Sequence, residues 1–534
     1  MESILLSIDP RDPIWIAIAF LCGFAVKFIG LPPLVGFLFA GFLLNVLGAE
    51  AGEFLRATAD LGITLLLFTI GLKLKPQSLA KPEVWGVASI HMIFITALLS
   101  VLALLLAKLN ISIFAGLEFQ SALLIGFVLS FSSTVFAIKI LDELGATMSR
   151  HGRIAIGVLI VQDIAAVIFL AVSAGKVPSM WALALLLLFP LRHVLQKVLD
   201  HSGHGELLVL YGIVLALGGA DIFELVGMKG DVGALVIGML LANHSKSKEM
   251  AKALLSFKDL FLLGFFLSVG MTALPGWNEL WIALIFIIFL PLKVALYFGL
   301  FSAFKLRAST SWRTSLNLAN YSEFGLIVGI LATTSGWLPQ EWLSVFAIVL
   351  SISFIISAPL TSIRDHFYSQ QRLLFKRFER RQRLSGEENL DIADIEAVIF
   401  GMGRVGSALY RSIEADFKDR IIGIEMDNDK TKTLQEKNIN VINGDATNPD
   451  FWSRAPTLIK GLEWVLLTLP NHQANMAAAK QLKEMGYRGR IAATSKFADE
   501  EEQLKEIGVE FTFNIYAEAG TGFANDLKRR FKPS

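Results

Sequence analysis

Long apolar stretches dominate residues 12–363, whereas residues 364–534 alternate short apolar runs with polar, helix-compatible segments. An apolar run long enough to cross hydrocarbon predicts a transmembrane helix, and about thirteen are expected in the first region. They centre near residues 21, 40, 65, 96, 130, 164, 189, 213, 236, 264, 291, 323 and 353, several being short or interrupted by Gly, Pro or Ser. In the second region the candidate strands are Ala397–Phe400, Ile421–Glu425, Asn440–Asn443, Trp464–Leu469, Ile491–Thr494 and Glu510–Phe513. Strands separated by helical stretches predict a doubly wound parallel sheet. The expected fold class is therefore a polytopic α-helical membrane domain over 1–363, a basic juxtamembrane linker over 364–393, and a Rossmann-like α/β domain over 394–534.

Charge orients this arrangement. The net charge of +1 averages two different solvents and says little by itself. The placement of the cations is more telling. Lys73, Lys75 and Lys81 share one loop; Lys139, Arg150 and Arg153 share the next but one. Arg192 with Lys197, then Lys246, Lys248, Lys252 and Lys258, then Lys305, Arg307 and Arg313 follow on the same side, with Arg56 the main exception. The positive-inside rule makes that side cytoplasmic, so the acidic N-terminus lies outside and the C-terminal domain inside, at a cell (inner) membrane. The first apolar run has no basic start and no small-residue cleavage site, which reads as a retained helix. Cys22, the lone cysteine, forms no internal disulfide. Neither a metal-ligand cluster nor a nucleic-acid-binding pattern is expected. The linker cations Arg372, Lys376, Arg377, Arg380, Arg381 and Arg383 suit anionic headgroups of the lipid bilayer, or a lever between the two domains.

Three polar groups interrupt the apolar helices. Asp163 lies in the run Ile154–Ala171, where a charge costs roughly 3 kcal/mol on insertion scales and is usually retained for transport. Its carboxylate offers hard oxygens to a cation and alternatively binds a proton; competition for one carboxylate with alternating access gives exchange. Gln162 can add an amide oxygen. Ser130-Phe131-Ser132-Ser133-Thr134 can satisfy backbone freed by a broken helix and present hydroxyls to a cation, although such residues also serve ordinary helix packing. Glu323, in Ser322-Glu323-Phe324-Gly325, can offset helix-end dipoles at a second break, and Lys293 can pair with Asp163 when no ion is bound. A structural role serves both equally well.

The soluble region carries Gly401-Met402-Gly403-Arg404-Val405-Gly406 between its first strand and a helix. Such a loop lets pyrophosphate approach backbone N–H groups at the helix N-terminus. Glu425 ends the second strand, where an acid binds ribose hydroxyls and repels a 2′-phosphate. Gly444-Asp445-Ala446-Thr447 follows the third strand and would border adenine. The expected ligand is AMP, ATP or NAD(H). A Rossmann sheet with an empty pocket is the structural alternative.

The order of these motifs resembles the Kef-type branch of the monovalent cation:proton antiporters, with a regulatory domain similar to the N-terminal lobe of the domains that regulate potassium conductance. The resemblance rests on Ala59–Gly62 running into Leu67–Leu72, on Ser132-Ser133-Thr134, on Gln162-Asp163, on Gly264–Met271 and on Glu323-Phe324-Gly325. It implies a homodimer built from inverted repeats with crossed broken helices, and Asp163 as the shared site for ion and proton. A single Asp preceded by Gln resembles the electroneutral members, expected to exchange one cation for one proton, and the family resemblance as a whole favours K⁺ over Na⁺. Ser132, Ser133, Thr134 and Gln162 would then be ion-site residues, with Lys293 and Glu323 as support. In glutathione-gated members an Arg in the Gly-rich loop helps hold glutathione, and Arg404 stands at that position. The segment 245–259 is basic here, where those members carry an acidic inhibitory loop, and Lys73 and Lys75 stand where the family often has acids.

A nucleotide-gated potassium channel and a sodium–proton antiporter of the same fold are the alternatives. A channel lacks support from any Thr-Val-Gly-Tyr-Gly-like filter. An NAD-dependent enzyme would need a substrate domain for which the soluble region leaves no room. His472, after the fourth strand, reads as a solvated loop histidine.

Overall fold

A computed structural model describes residues 12–531, apart from 29–32, 50, 74–80, 145, 148, 174–178, 180–184, 186, 228–229, 273–275, 381–393, 418–419, 449–450 and 453–460. Compactness divides the chain into two units that do not follow its linear order. The first comprises Met1–Phe136, Ala155–Leu300 and Leu318–Ser362; the second comprises Ala137–Ile154, Phe301–Asn317 and Ile363–Ser534.

Among the described residues, seven helices are long and apolar enough to cross a membrane: Glu53–Leu72, Pro82–Lys108, Phe119–Leu141, Arg150–Leu170, Glu206–Leu225, Trp277–Ala303 and Glu341–Thr361. Shorter apolar helices span Pro13–Phe28, Pro33–Val46, Val232–Leu241 and Glu323–Thr334, and Glu249–Leu255 with Leu260–Met271 forms a bent pair. The protein is thus a multi-pass membrane protein. The helix expected near residue 189 lies partly outside the described residues; its described part is Leu188–His201.

Small residues hold the first unit together. A Cβ added to Gly41 would lie 2.7 Å from the Cα of Gly270, and one added to Gly71 would lie 2.9 Å from that of Gly238. Backbones in such contact gain dispersion energy, which replaces a hydrophobic drive that lipid cannot supply. Lys246, in the basic segment 245–259, has a local task. Its ammonium donates to Asp200 O at 2.8 Å and Gly203 O at 3.2 Å, closing the carbonyl end of Leu188–His201.

Two helices are interrupted. Phe119–Ser130 gives way to Thr134–Glu143 across Phe131–Ser133, and Ala308–Asn317 gives way to Glu323–Thr334 across Leu318–Ser322. Ala308–Asn317 (ASTSWRTSLN) is polar yet almost wholly buried, so Arg313, expected in a cytoplasmic loop, instead sits inside a helix at 1% exposure.

The second unit holds six parallel strands in the order β3-β2-β1-β4-β5-β6. They are β1 Ala397–Phe400, β2 Ile421–Glu425, β3 Val441–Asn443, β4 Trp464–Leu467, β5 Arg490–Ser495 and β6 Phe511–Asn514. Val398 pairs with Ile422 on one side and Val465 on the other. Every residue of β1 and β2 is buried, as central parallel strands covered on both faces require. Phe400, Trp452, Ala478 and Leu482 pack on one face; Met402, Tyr410, Ile421 and Leu434 pack on the other.

The same unit shows that the start of the basic linker is ordered helix. Glu341–Gln370 runs through residue 363, followed by Arg372–Lys376. The Trp312 ring lies 4.9 Å from that of Phe375, its Nε1 donates to Arg364 O at 3.0 Å, and Glu379 accepts from Ala308 N at 3.0 Å. Residues 381–393 of the linker lie outside the described residues.

Candidate ion site and nucleotide pocket

Breaking a helix inside hydrocarbon frees backbone donors and acceptors that must find partners in the protein. Here side chains from other helices and from the opposite break supply them. Ser132 N donates to Gln162 Oε1 at 3.0 Å, and Ser133 N donates to Asn320 Oδ1 at 2.7 Å. Lys293 Nζ donates to Phe131 O at 2.6 Å and to Asn320 O at 2.9 Å, so one ammonium serves both breaks. Ser132 Oγ donates to Leu318 O at 3.0 Å, joining the breaks directly. Ser353 Oγ accepts from Tyr321 N, and Ser357 donates to Ala319 O.

The carboxylates stand where helices begin. Thr134 opens the helix Thr134–Glu143, and its hydroxyl lies 3.0 and 3.2 Å from the two oxygens of Asp163. Glu323 opens Glu323–Thr334 and accepts from Ser133 Oγ at 2.7 Å. Unpaired N–H groups at a helix start carry partial positive charge, which favours an anion there. Asp163 is 1% exposed. A carboxylate removed from water in this way depends on the polar groups around it.

Ser132, Ser133, Thr134, Gln162, Asp163, Lys293 and Glu323 thus lie in one buried network. Gln162 is engaged at both ends, since its Nε2 donates to the Tyr297 hydroxyl at 2.8 Å while its oxygen accepts from Ser132. It braces the first break. Sequence reasoning missed Asn320, Tyr297, Ser353, Ser357 and His91, whose ring stacks on Tyr297 at 3.5 Å between centroids. The available signal was a set of polar side chains within otherwise apolar helices, with Ser353 and Ser357 one turn apart on one face.

In the second unit a cavity of about 360 Å³ opens beyond the carboxyl ends of β1, β2 and β4. That is where doubly wound sheets bind ligands. Gly401 and Gly403 form one wall, Glu425 and Asp427 another, and Gly444 and Ala446 a third. Gly401 has φ +90°, and a Cβ there would lie 2.5 Å from Thr468 O, so only glycine fits without strain. A Cβ at Gly403 would meet nothing within 4 Å, leaving open space at the start of the helix Arg404–Phe417. That helix start suits a phosphate.

Glu425 Oε1 accepts from Asp427 N at 3.0 Å and Oε2 lies 3.0 Å from Lys430 Nζ, which fixes the carboxylate at the strand end. The remaining expected nucleotide residues lie outside the described cavity wall. Arg404 is exposed on the first turn of its helix, Val405 follows it, and Gly406 packs against the Gly401 carbonyl. Asp445 turns aside: Oδ1 accepts from Thr447 N at 2.9 Å, and Oδ2 lies 3.6 Å from Arg313 Nη1. His472 opens the helix His472–Glu484, with Nε2 2.9 Å from Gln503 Oε1.

Residues 16–362 match the family model described as sodium/hydrogen exchanger, transmembrane, and residues 397–515 match that of the TrkA-N domain. The chain is similar to the glutathione-regulated potassium-efflux system protein KefC of Shigella flexneri serotype 5b, with 27% identity over 513 residues, 90% of this chain and 78% of that one. Its similarity to KefC of Klebsiella pneumoniae (strain 342) is 27% over 525 residues, covering 92% and 80%. A crystal structure of the TrkA-N domain of the inner membrane protein ybaL from Escherichia coli covers 26% of this chain and 99% of that one, with 22% identity and a TM-score of 0.23. The KefC relatives are described as potassium-efflux proteins, transporters rather than enzymes. With most of its length matched by one family model, the chain belongs to the transmembrane sodium/hydrogen exchangers and carries a TrkA-N domain behind the exchanger region.

Proposed function

We propose that the protein is an electroneutral antiporter that exchanges one K⁺ for one H⁺ at Asp163 by alternating access. Nucleotide binding in the TrkA-N domain would set its activity. The observation that carries this reading is the buried Asp163 carboxylate beside Thr134, at the place where two interrupted helices meet. One carboxylate holds either a proton or a monovalent cation, so protonation on one side and cation binding on the other are alternatives. Thr134 and Ser133 offer hydroxyl oxygens next to the carboxylates, while Gln162 and Lys293 keep the breaks in shape. Potassium is favoured over sodium by the KefC relatives, which are described as potassium-efflux proteins.

The glycine loop, the helix start and Glu425 favour an adenine nucleotide, AMP, ATP or NAD(H), over one with a 2′-phosphate. The distribution of basic residues favours an N-terminus outside and a TrkA-N domain in the cytoplasm. A homodimer is in keeping with the family resemblance. The exposed apolar side chains of Tyr516, Phe523 and Phe531 on the helix Ile515–Phe531 suit such contacts. Glutathione, named for the relatives, finds less support here. Lys246 belongs to the basic segment that replaces an acidic one, and it closes a neighbouring helix.

The test is proton movement in proteoliposomes holding purified protein, on addition of K⁺, Na⁺ or choline, for wild type and Asp163→Asn. Cation-dependent proton flux lost in the variant is the expected outcome. Coupled flux that survives in Asp163→Asn overturns the site. Conduction of K⁺ without proton movement favours the channel.

A further inference from the structure

The wall of the nucleotide cavity is not made by the Rossmann sheet alone. Thr147 lines it, and Thr147 comes from the segment between the helix Thr134–Glu143 and the helix Arg150–Ser173. This segment is compact with the TrkA-N domain, as is the helix Ala308–Asn317. We infer that Thr147 contacts the nucleoside end of the bound nucleotide, and that Arg313 and Asp445 tie occupancy of the pocket to the exchanger helices. This inference rests on the nucleotide reading above and adds the residues through which it acts.

The direction of the ligand follows from the cavity. Its phosphates belong at Gly403 and the following helix start, its ribose at Glu425, so its base extends toward Gly444 and Ala446. Thr147 shares the cavity with those residues. Its hydroxyl is both donor and acceptor and can meet either edge of a base or a ribose oxygen. The turn that carries it is held from within. Ala146 N donates to Leu141 O at 2.7 Å, Ser149 N donates to Ala146 O at 3.0 Å, and Ser149 Oγ accepts from Gly152 N at 3.0 Å. A side chain on such a turn cannot swing away cheaply, so a ligand must accommodate it or push the whole turn.

Two arginines lie beside the neighbouring walls. Arg153 Nη1 lies 3.9 Å from Asp427 Oδ1, and Asp427 lines the cavity. Arg313 is buried, donates from Nη2 to Thr447 O at 2.7 Å, and holds Asp445 at 3.6 Å. Asp445 stands between Gly444 and Ala446, both in the cavity wall. A buried ion pair contributes little net stability but is costly to break, which suits it to specifying one arrangement of a wall.

The chain then leads to the candidate ion site. In sequence Thr147 lies between Thr134 and Asp163, and helix Ala308–Asn317 runs into the break Leu318–Ser322, where Leu318 O accepts from Ser132 Oγ. A nucleotide that binds better in one position of these segments shifts transport by that difference in affinity and by no more.

The experiment uses the purified full-length protein. Equilibrium binding of AMP and of NAD⁺ is measured for wild type and Thr147→Trp. Cation-dependent proton flux with and without each nucleotide is measured for wild type, Arg313→Met and the shape-conserving Asp445→Asn. We expect Thr147→Trp to weaken binding by about tenfold or more, by filling the cavity. In Arg313→Met and Asp445→Asn we expect the ratio of flux with nucleotide to flux without it to fall toward one. Asp445→Asn keeps the test valid where Arg313→Met fails to fold. Wild-type affinity in Thr147→Trp together with a wild-type flux ratio in Asp445→Asn overturns this inference alone. No saturable binding of either nucleotide to the wild type overturns the nucleotide reading and this inference with it.

Discussion

The Thr134 hydroxyl sits 3.0 and 3.2 Å from the two oxygens of Asp163, joining the first residue of one half-helix to the centre of the next helix in the chain. The carboxylate is thereby held at a helix start, where backbone N–H groups favour negative charge.

Asp163→Asn is expected to abolish exchange while preserving the fold, because it removes the titrating group and keeps its shape. On the proposed competition of proton and cation for the Asp163 carboxylate, the K⁺ concentration for half-maximal flux should rise as pH falls. Flux titrations at several pH values check both, and half-saturation independent of pH would rule out competition at a single group.

Thr134→Val keeps the volume and deletes the hydroxyl. Loss of one hydrogen bond to a charged partner is expected to cost about 1.5–3 kcal/mol in the state that uses it. The half-saturating K⁺ concentration should increase accordingly, with the protein still folded. Flux measured across a K⁺ series tests this.

Lys293→Met leaves Phe131 O and Asn320 O without their donor. Each buried carbonyl left unpaired costs about 1–3 kcal/mol, so a clear fall in thermal stability in detergent is expected. An unchanged melting temperature would show that Lys293 does not hold the two breaks.

Gly403→Asp should eliminate nucleotide binding without loss of stability. A side chain there enters open space, but it puts negative charge where a phosphate must lie. Gly401→Ala is the contrasting variant, since its Cβ would press on Thr468 O from a positive-φ position. We expect Gly401→Ala to destabilise the domain by about 1 kcal/mol or more. Calorimetry with AMP and thermal unfolding separate the two.

Much of the architecture was legible along the chain because it follows from local patterns. Apolar runs marked the membrane helices, since length and composition alone meet the demand of hydrocarbon. The strand–Gly-loop–helix rhythm marked the parallel sheet, and the strands fall within one or two residues of their expected limits. Asp163 and the serine cluster stood out because polar groups inside apolar helices are expensive. The polar helix Ala308–Asn317 was harder to place. Its sequence resembles a soluble loop, and Arg313 looked like one more cytoplasmic cation until burial beside Asp445 gave it a partner.

Sequence by itself therefore determined the two solvents of this chain, its family and the residue types available for ion and nucleotide. Backbone periodicity, hydropathy and motif spacing act over a few residues and can be read in one dimension. The tertiary structure decided which side chain meets which: Ser133 with Glu323, Lys293 with the carbonyls of both breaks, and Gln162 with backbone in addition to any ion. It also decided that Thr147 lines the cavity beyond the carboxyl ends of the strands. These pairings join residues far apart in the chain, and burial selects them because each polar group removed from water must find its partner in three dimensions.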